Sequence, residues 1–83
     1  MEKALIEVYV PAIEESYDIF VPLNCMVNEL LILISETISN LSLHRYVHNK
    51  DSMLCYRDNG AIIDINATAE EAGIINGLQL MLI

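Results

Sequence analysis

A two-layer α+β fold, with one long helix laid across one face of a sheet of short strands, is what the hydrophobic patterning of this chain predicts. Three observations carry that expectation. Val27 to Leu41 (VNELLILISETISNL) repeats with a helical period, the segments on either side alternate with a strand period, and Asn-Gly and Pro signals punctuate the joins. At about 100° per residue, Val27, Leu30, Leu31, Ile34, Ile38 and Leu41 form one apolar stripe, opposite Asn28, Glu29, Glu36, Ser39 and Asn40. Ile32 falls in the middle of the polar arc and Leu33 at its edge, so a single sheet cannot bury both. A helix with one apolar stripe needs one apolar face to cover it, and the strands are there to supply it.

In chain order, Ala4 to Val10 alternates with Ala4, Ile6, Val8 and Val10 on one face and Leu5, Glu7 and Tyr9 on the other. Because Glu7 belongs in water, the first set is expected to face the core. Pro11 ends that strand or marks an edge position. Ala12 to Ser16 is a polar connection of hairpin length, and Tyr17, Ile19 and Val21 are the inward set of a second, antiparallel strand. Pro22, Leu23 and Asn24 lead into the helix, with Asn24 having the chemistry of an N-cap but standing slightly early.

After Leu41, SLHRYVHNKDS has no sustained period and is expected to be a loop. Met53 to Arg57 is a short strand, with Leu54 and Tyr56 on one face and Cys55 and Arg57 on the other. Asp58-Asn59-Gly60 forms a tight turn, and Ala61 to Ile65 a further short strand. Thr68-Ala69-Glu70-Glu71 has the spacing of a capping box, and Gly73 is placed to stop the helix after about one turn. Asn76-Gly77 turns the chain into a last strand, Leu78 to Ile83, with Leu80 and Leu82 inward and Met81 and Ile83 outward.

Composition narrows the function. Eighty-three residues form one domain, 1–83, which at this size buries only about 60 to 65% of its unfolded surface. Yet 54% of residues are hydrophobic, so some apolar surface must meet solvent or a partner. No apolar run of about 18 residues could span a bilayer, and the N-terminal segment lacks a signal-peptide pattern, which leads us to expect a cytoplasmic protein without membrane insertion. The net charge of −8 opposes binding to nucleic acid or to an anionic membrane. Basic residues Arg45, Lys50 and Arg57 lie in the middle of the chain, while Glu2, Glu7, Glu14, Glu15, Glu70 and Glu71 load its ends.

Chemistry has no visible seat. Cys25 and Cys55 lack metal spacing and are expected to be reduced packing residues. His44 and His48 are four apart, as in a helical metal pair, but no third ligand accompanies them, so neither a metal nor another cofactor is expected. No grouping has nucleophile context, and Gly60, Gly73 and Gly77 are each accounted for by a turn or cap. What remains is surface. Cys55, Met81 and Ile83, left on the outer sheet face by alternation, are the candidate protein-binding residues, with Leu5 and Phe20 on the same face and Ile32 on the helix as the competing site.

The order strand, strand, long helix, strand, short strand, one-turn helix, strand resembles that of the ubiquitin superfold. Val21 to Ile34 (VPLNCMVNELLILI) and Thr68 to Ile83 (TAEEAGIINGLQLMLI) look like the corresponding ubiquitin segments. The run Ala72-Gly73-Ile74-Ile75-Asn76-Gly77-Leu78-Gln79-Leu80 is similar to the end of the YukD/EsaB family of small bacterial ubiquitin-like proteins, with Leu78 where an acidic residue is usual. The resemblance implies a β-grasp with a mixed sheet of four to five strands. It also implies a non-enzymatic accessory or regulatory role beside the type VII secretion apparatus of Gram-positive bacteria, with a secretion-system component as partner; self-association is the alternative that the apolar outer sheet face, rather than the resemblance, suggests. Ubiquitin-like carriers act through a flexible Gly-Gly tail. Leu82-Ile83 stands in its place here, which disfavours a carrier, while a detached scaffold domain of a larger assembly stays open.

Overall fold

A computed structural model describes residues 2–83. Strand β1 (Lys3–Val10) pairs antiparallel with β2 (Glu15–Pro22), and helix α1 (Val27–Leu41) follows. Strand β3 (Leu54–Tyr56) and strand β4 (Gln79–Leu82) complete a sheet of order β2-β1-β4-β3. The sheet is mixed, since β4 runs parallel to β1 and antiparallel to β3. Alternation sets its two faces as the sequence predicts. Ala4, Ile6, Val8, Val10, Ile19, Val21, Leu54, Leu80 and Leu82 are buried on the inner face, against Val27, Leu30, Ile34 and Ile38 of α1. Burying each Val, Leu or Ile contributes about 1.5–3 kcal/mol, so this layer dominates the stability.

Two expectations about the helix change. Leu41, on the predicted stripe, is 57% exposed in the last turn, whereas Ser35 is buried and returns its hydroxyl to the Leu31 carbonyl at 2.6 Å. The N-cap is Met26 rather than Asn24, and its thioether is a poor acceptor. The amides left open at the helix start are instead taken from a distance: Val27 N–H donates to the Ala67 carbonyl (2.9 Å) and Asn28 N–H to that of Ile65 (3.1 Å). Glu29 adds half of a capping box by accepting the Met26 N–H at 3.2 Å. At the other end, Leu43 N–H bonds to Asn40 O and His44 N–H to Ser39 O, the Schellman pattern, with Leu43 at φ 55° where glycine is usual.

The same helix cap explains why Ala61 to Ile65 does not form the expected strand. Only Ile62 pairs, in a single bridge to Cys55, before Ile65 and Ala67 turn their carbonyls to α1. The predicted capping box and glycine stop are present, but they frame a single hydrogen-bonded turn, closed by Ala72 N–H to Thr68 O at 3.0 Å, rather than a helix. Thr68 Oγ1 accepts the Glu71 N–H at 3.1 Å, Glu71 Oε1 accepts the Thr68 N–H at 2.9 Å, and Gly73 closes the turn at φ +75°. Strands β3 and β4 start one residue later than expected. Before β4, the Asn76 side chain accepts the Leu5 N–H at 2.7 Å and Gly77 donates to the Leu5 carbonyl, so the turn itself continues the β1 edge.

Two stability predictions follow from these termini. Thr68→Ala should cost about 0.5–2 kcal/mol in urea unfolding, and Thr37→Ala clearly less, because the Thr37 hydroxyl only bonds back to Leu33 O within the helix. Leu43→Gly should raise stability by about 0.5–1 kcal/mol, relief of the left-handed strain being partly offset by glycine's freedom in the unfolded chain. A loss of stability in Leu43→Gly would show that the exposed leucine packs in a way the backbone does not reveal.

Candidate functional site

The outer sheet face is set by register, because residues opposite one another across a ladder point the same way. Tyr9, Met81 and Cys55 form one row across β1, β4 and β3, and the bridge to Ile62 extends it. One step further, Met53 and Ile83 exchange both backbone hydrogen bonds, at 2.7 and 2.9 Å, and lengthen the pairing. Ile62 is 60% exposed, Ile83 47% and Met53 38%, while Met81 and Tyr9 are half-buried. These five side chains make one contiguous apolar patch. Sequence reasoning found Met81 and Ile83 but missed Ile62, because the bridge that brings it onto this face is one residue long.

Cys55 occupies the expected face but is only 2% exposed. It is small and stands in register between Met81 and Ile62, so it underlies the patch and cannot be a contact. Burial pushes its thiol pKa up, and burial together with the charge of Glu29 does the same for Cys25, so both thiols are held in their neutral, weakly nucleophilic form.

Leu5 and Phe20 do not join this patch. They pair with each other at the far end of the face, and a polar row divides the two regions. Glu7 lies opposite Asp18 on one side and Gln79 on the other. Gln79 Nε2 donates to Glu7 Oε1 at 2.8 Å, and the Arg57 guanidinium lies 3.5 Å from the same oxygen and 4.9 Å from the centre of the Tyr9 ring. Arg57 thus offsets the repulsion between Glu7 and Asp18 and caps Tyr9 in a cation–π contact. Ile32 is 50% exposed and Leu33 39%, on the side of the molecule away from the sheet, as the helical wheel places them.

The basic centre of the chain has a structural use. Arg45 forms an ion pair with Glu15, whose other oxygen accepts the Tyr17 hydroxyl at 2.6 Å, fastening the loop after α1 to the start of β2. The Arg45 guanidinium, and then the Tyr17 hydroxyl, hold the Glu15 carboxyl below the usual carboxylate range, and the bond to Glu15 raises the Tyr17 pKa. His44 Nδ1 lies 3.1 Å from Ser39 Oγ, and His48 Nδ1 is buried without a partner. Among the described residues no group of three His, Cys, Asp or Glu side chains is placed to hold a metal ion, and no helix is long and apolar enough to cross a membrane.

The chain matches no protein-family model and no curated protein. Solved structures are similar over its whole length. The ubiquitin-like domain of EccD5 from Mycobacterium xenopi aligns with a TM-score of 0.72 at 17% identity, covering 100% of this chain and 94% of that one. The ubiquitin-like domain of the Mycobacterium tuberculosis type VII secretion system protein EccD1 aligns at 0.67 and 11%, covering 100% and 99%. The ubiquitin-like domain of Plasmodium falciparum Dsk2 aligns at 0.74 and 11%, covering 98% and 96%.

Because Glu15 has a lowered folded-state pKa, its contribution is present above the unfolded carboxylate value and lost as pH falls through the folded one. The difference in urea midpoint between the wild type and Glu15→Gln should therefore be measurable near neutrality and shrink to nothing as the pH falls below the lowered folded-state value. A difference that persists in acid would mean the glutamate acts by packing rather than by charge. With helix, sheet order and turns aligned from end to end, the fold of this chain is the ubiquitin-like β-grasp.

Proposed function

We propose that this chain, as a single domain, is a non-catalytic ubiquitin-like interaction module and a cytoplasmic accessory or regulatory component of a bacterial type VII secretion system. Its contact surface is the outer sheet face centred on Met81 and Ile83. The observation that carries the proposal is the contiguous patch of Tyr9, Met53, Ile62, Met81 and Ile83, which no other element among the described residues covers. The secretion-system role is supported by the likeness to EccD ubiquitin-like domains and by the Ala72 to Leu80 run that resembles YukD/EsaB. The breadth of that likeness, which reaches a eukaryotic Dsk2 domain, means the fold by itself does not choose the partner.

The exposed Ile32 supports a second surface, on the helix. The two separate by mutation. Met81→Glu and Ile83→Glu should each reduce cross-linking to a secretion-system component at least about tenfold, since a buried carboxylate at an apolar contact costs more than about 1.4 kcal/mol. Ile32→Glu should leave it unchanged. Site-specific photo-cross-linking in cells that carry the secretion system, with folding checked by far-UV circular dichroism, measures both. Loss with Ile32→Glu alone would move the contact to the helix, and cross-links only to proteins outside the secretion system would overturn the assignment.

A further inference from the structure

A second surface lies where the chain after β2, the start of α1 and the capped turn from Thr68 to Gly73 meet. Two adjoining clefts of about 290 and 300 Å³ open there, and both are lined by Leu23 and Glu70, so they form one groove. Its apolar lining comes from Leu23, Cys25, Met26, Ile74 and Ile75, of which Ile75 is 64% exposed. Its charged lining is entirely acidic: Glu2, Glu29 and Glu70.

Among the described residues no ion pair reaches any of these three carboxylates. The four basic residues are elsewhere. Arg45 is engaged by Glu15, Arg57 by Glu7 and Tyr9, Lys50 lies in the loop before β3, and Lys3 alternates onto the outer sheet face opposite Pro22. The positive end of the α1 dipole also points here, but it amounts to only about half a charge. The Ala67 and Ile65 carbonyls occupy its first amides, and Glu29 stands in its first turn. Three full negative charges therefore set the field of the groove. Burial raises the pKa of Cys25, and the smaller push from Glu29 has that sign.

We propose that this groove docks a segment of a partner protein in which a run of up to three bulky apolar side chains is flanked by Lys or Arg. The apolar side chains enter against Leu23 and the exposed Ile75, and the flanking cations meet Glu2, Glu29 and Glu70. A second copy of this chain is a poor occupant, because at a net charge of −8 it would bring carboxylates against carboxylates. The surface is separate from the sheet face of the proposed function, and either can fail without the other.

The test titrates isotope-labelled protein with the amidated peptide Lys-Arg-Leu-Phe-Leu-Lys-Arg and follows backbone amide shifts by NMR. The largest shifts should fall at Leu23 to Glu29 and Glu70 to Ile75. Glu70→Lys, at an exposed position outside the capping box, should weaken binding about tenfold. Met81→Glu should not weaken it. Replacing the three apolar peptide residues by alanine should abolish the shifts at Leu23 and Ile75, and higher salt should weaken the parent peptide. The proposal is overturned if the shifts map to the outer sheet face, if the alanine peptide binds as well as the parent, or if the groove amides shift with protein concentration alone, which would make a second copy the occupant.

Discussion

The start of α1 is the point on which the rest of this structure depends. A helix leaves its first amides without partners, and here no Ser, Thr, Asp or Asn side chain stands at the N-cap to take them. The carbonyls of Ile65 and Ala67 do so, across nearly forty residues of chain, and Ala69 N–H returns a bond to Cys25 O at 2.9 Å. Met26 and Thr68 pair as an isolated antiparallel bridge between these contacts. One small cluster of backbone bonds thus seats the helix, stops the segment after Ile62 from pairing further, and places the capped turn after which Ala69, Ala72 and Ile74 close the end of the core. Burial supplies most of the free energy, but these directional bonds select where the helix begins.

The outer sheet face shows how a strongly acidic chain arranges a small number of cations. Glu7 and Asp18 are paired across β1 and β2, which is unfavourable by itself. Arg57 and Gln79 converge on Glu7 from the other side and turn that repulsion into a polar band across the sheet. The band breaks the apolar outer face into two regions, Leu5 with Phe20 and the larger group around Met81. A single broad greasy face would favour indiscriminate association; a bounded patch flanked by an arginine and a glutamate favours a partner with matching shape and charge.

With Arg57 and Arg45 both committed to structural contacts, the groove beside Leu23 is left with carboxylates alone. The two surfaces accordingly differ in character. The patch around Met81 and Ile83 is apolar with a polar border, while the groove is apolar with an acidic border.

Much of this was legible in the residues, because the signals were local. A fifteen-residue helical period defined α1 from Val27 to Leu41, period-two alternation sorted β1 and β2 into faces, and Thr68, Glu71 and Gly73 specified a capped and terminated turn from five consecutive peptide units. Those features depend only on neighbours within a turn or a strand, so the chain alone carries them. What tertiary structure decided was every outcome that depends on a distant group competing for the same atoms. Asn24 has capping chemistry, yet the helix begins after Met26 because carbonyls from the 65–67 segment reach its amides. Ala61 to Ile65 has strand composition, yet it pairs only at Ile62 because the carbonyls that follow are already used. Cys55 alternates outward but is buried, since Ile62 and Met81 flank it on the sheet, and Leu41 lies on the helical stripe but is exposed in the last turn. Periodicity states which way a side chain points; only the packed molecule decides what, if anything, stands there to cover it.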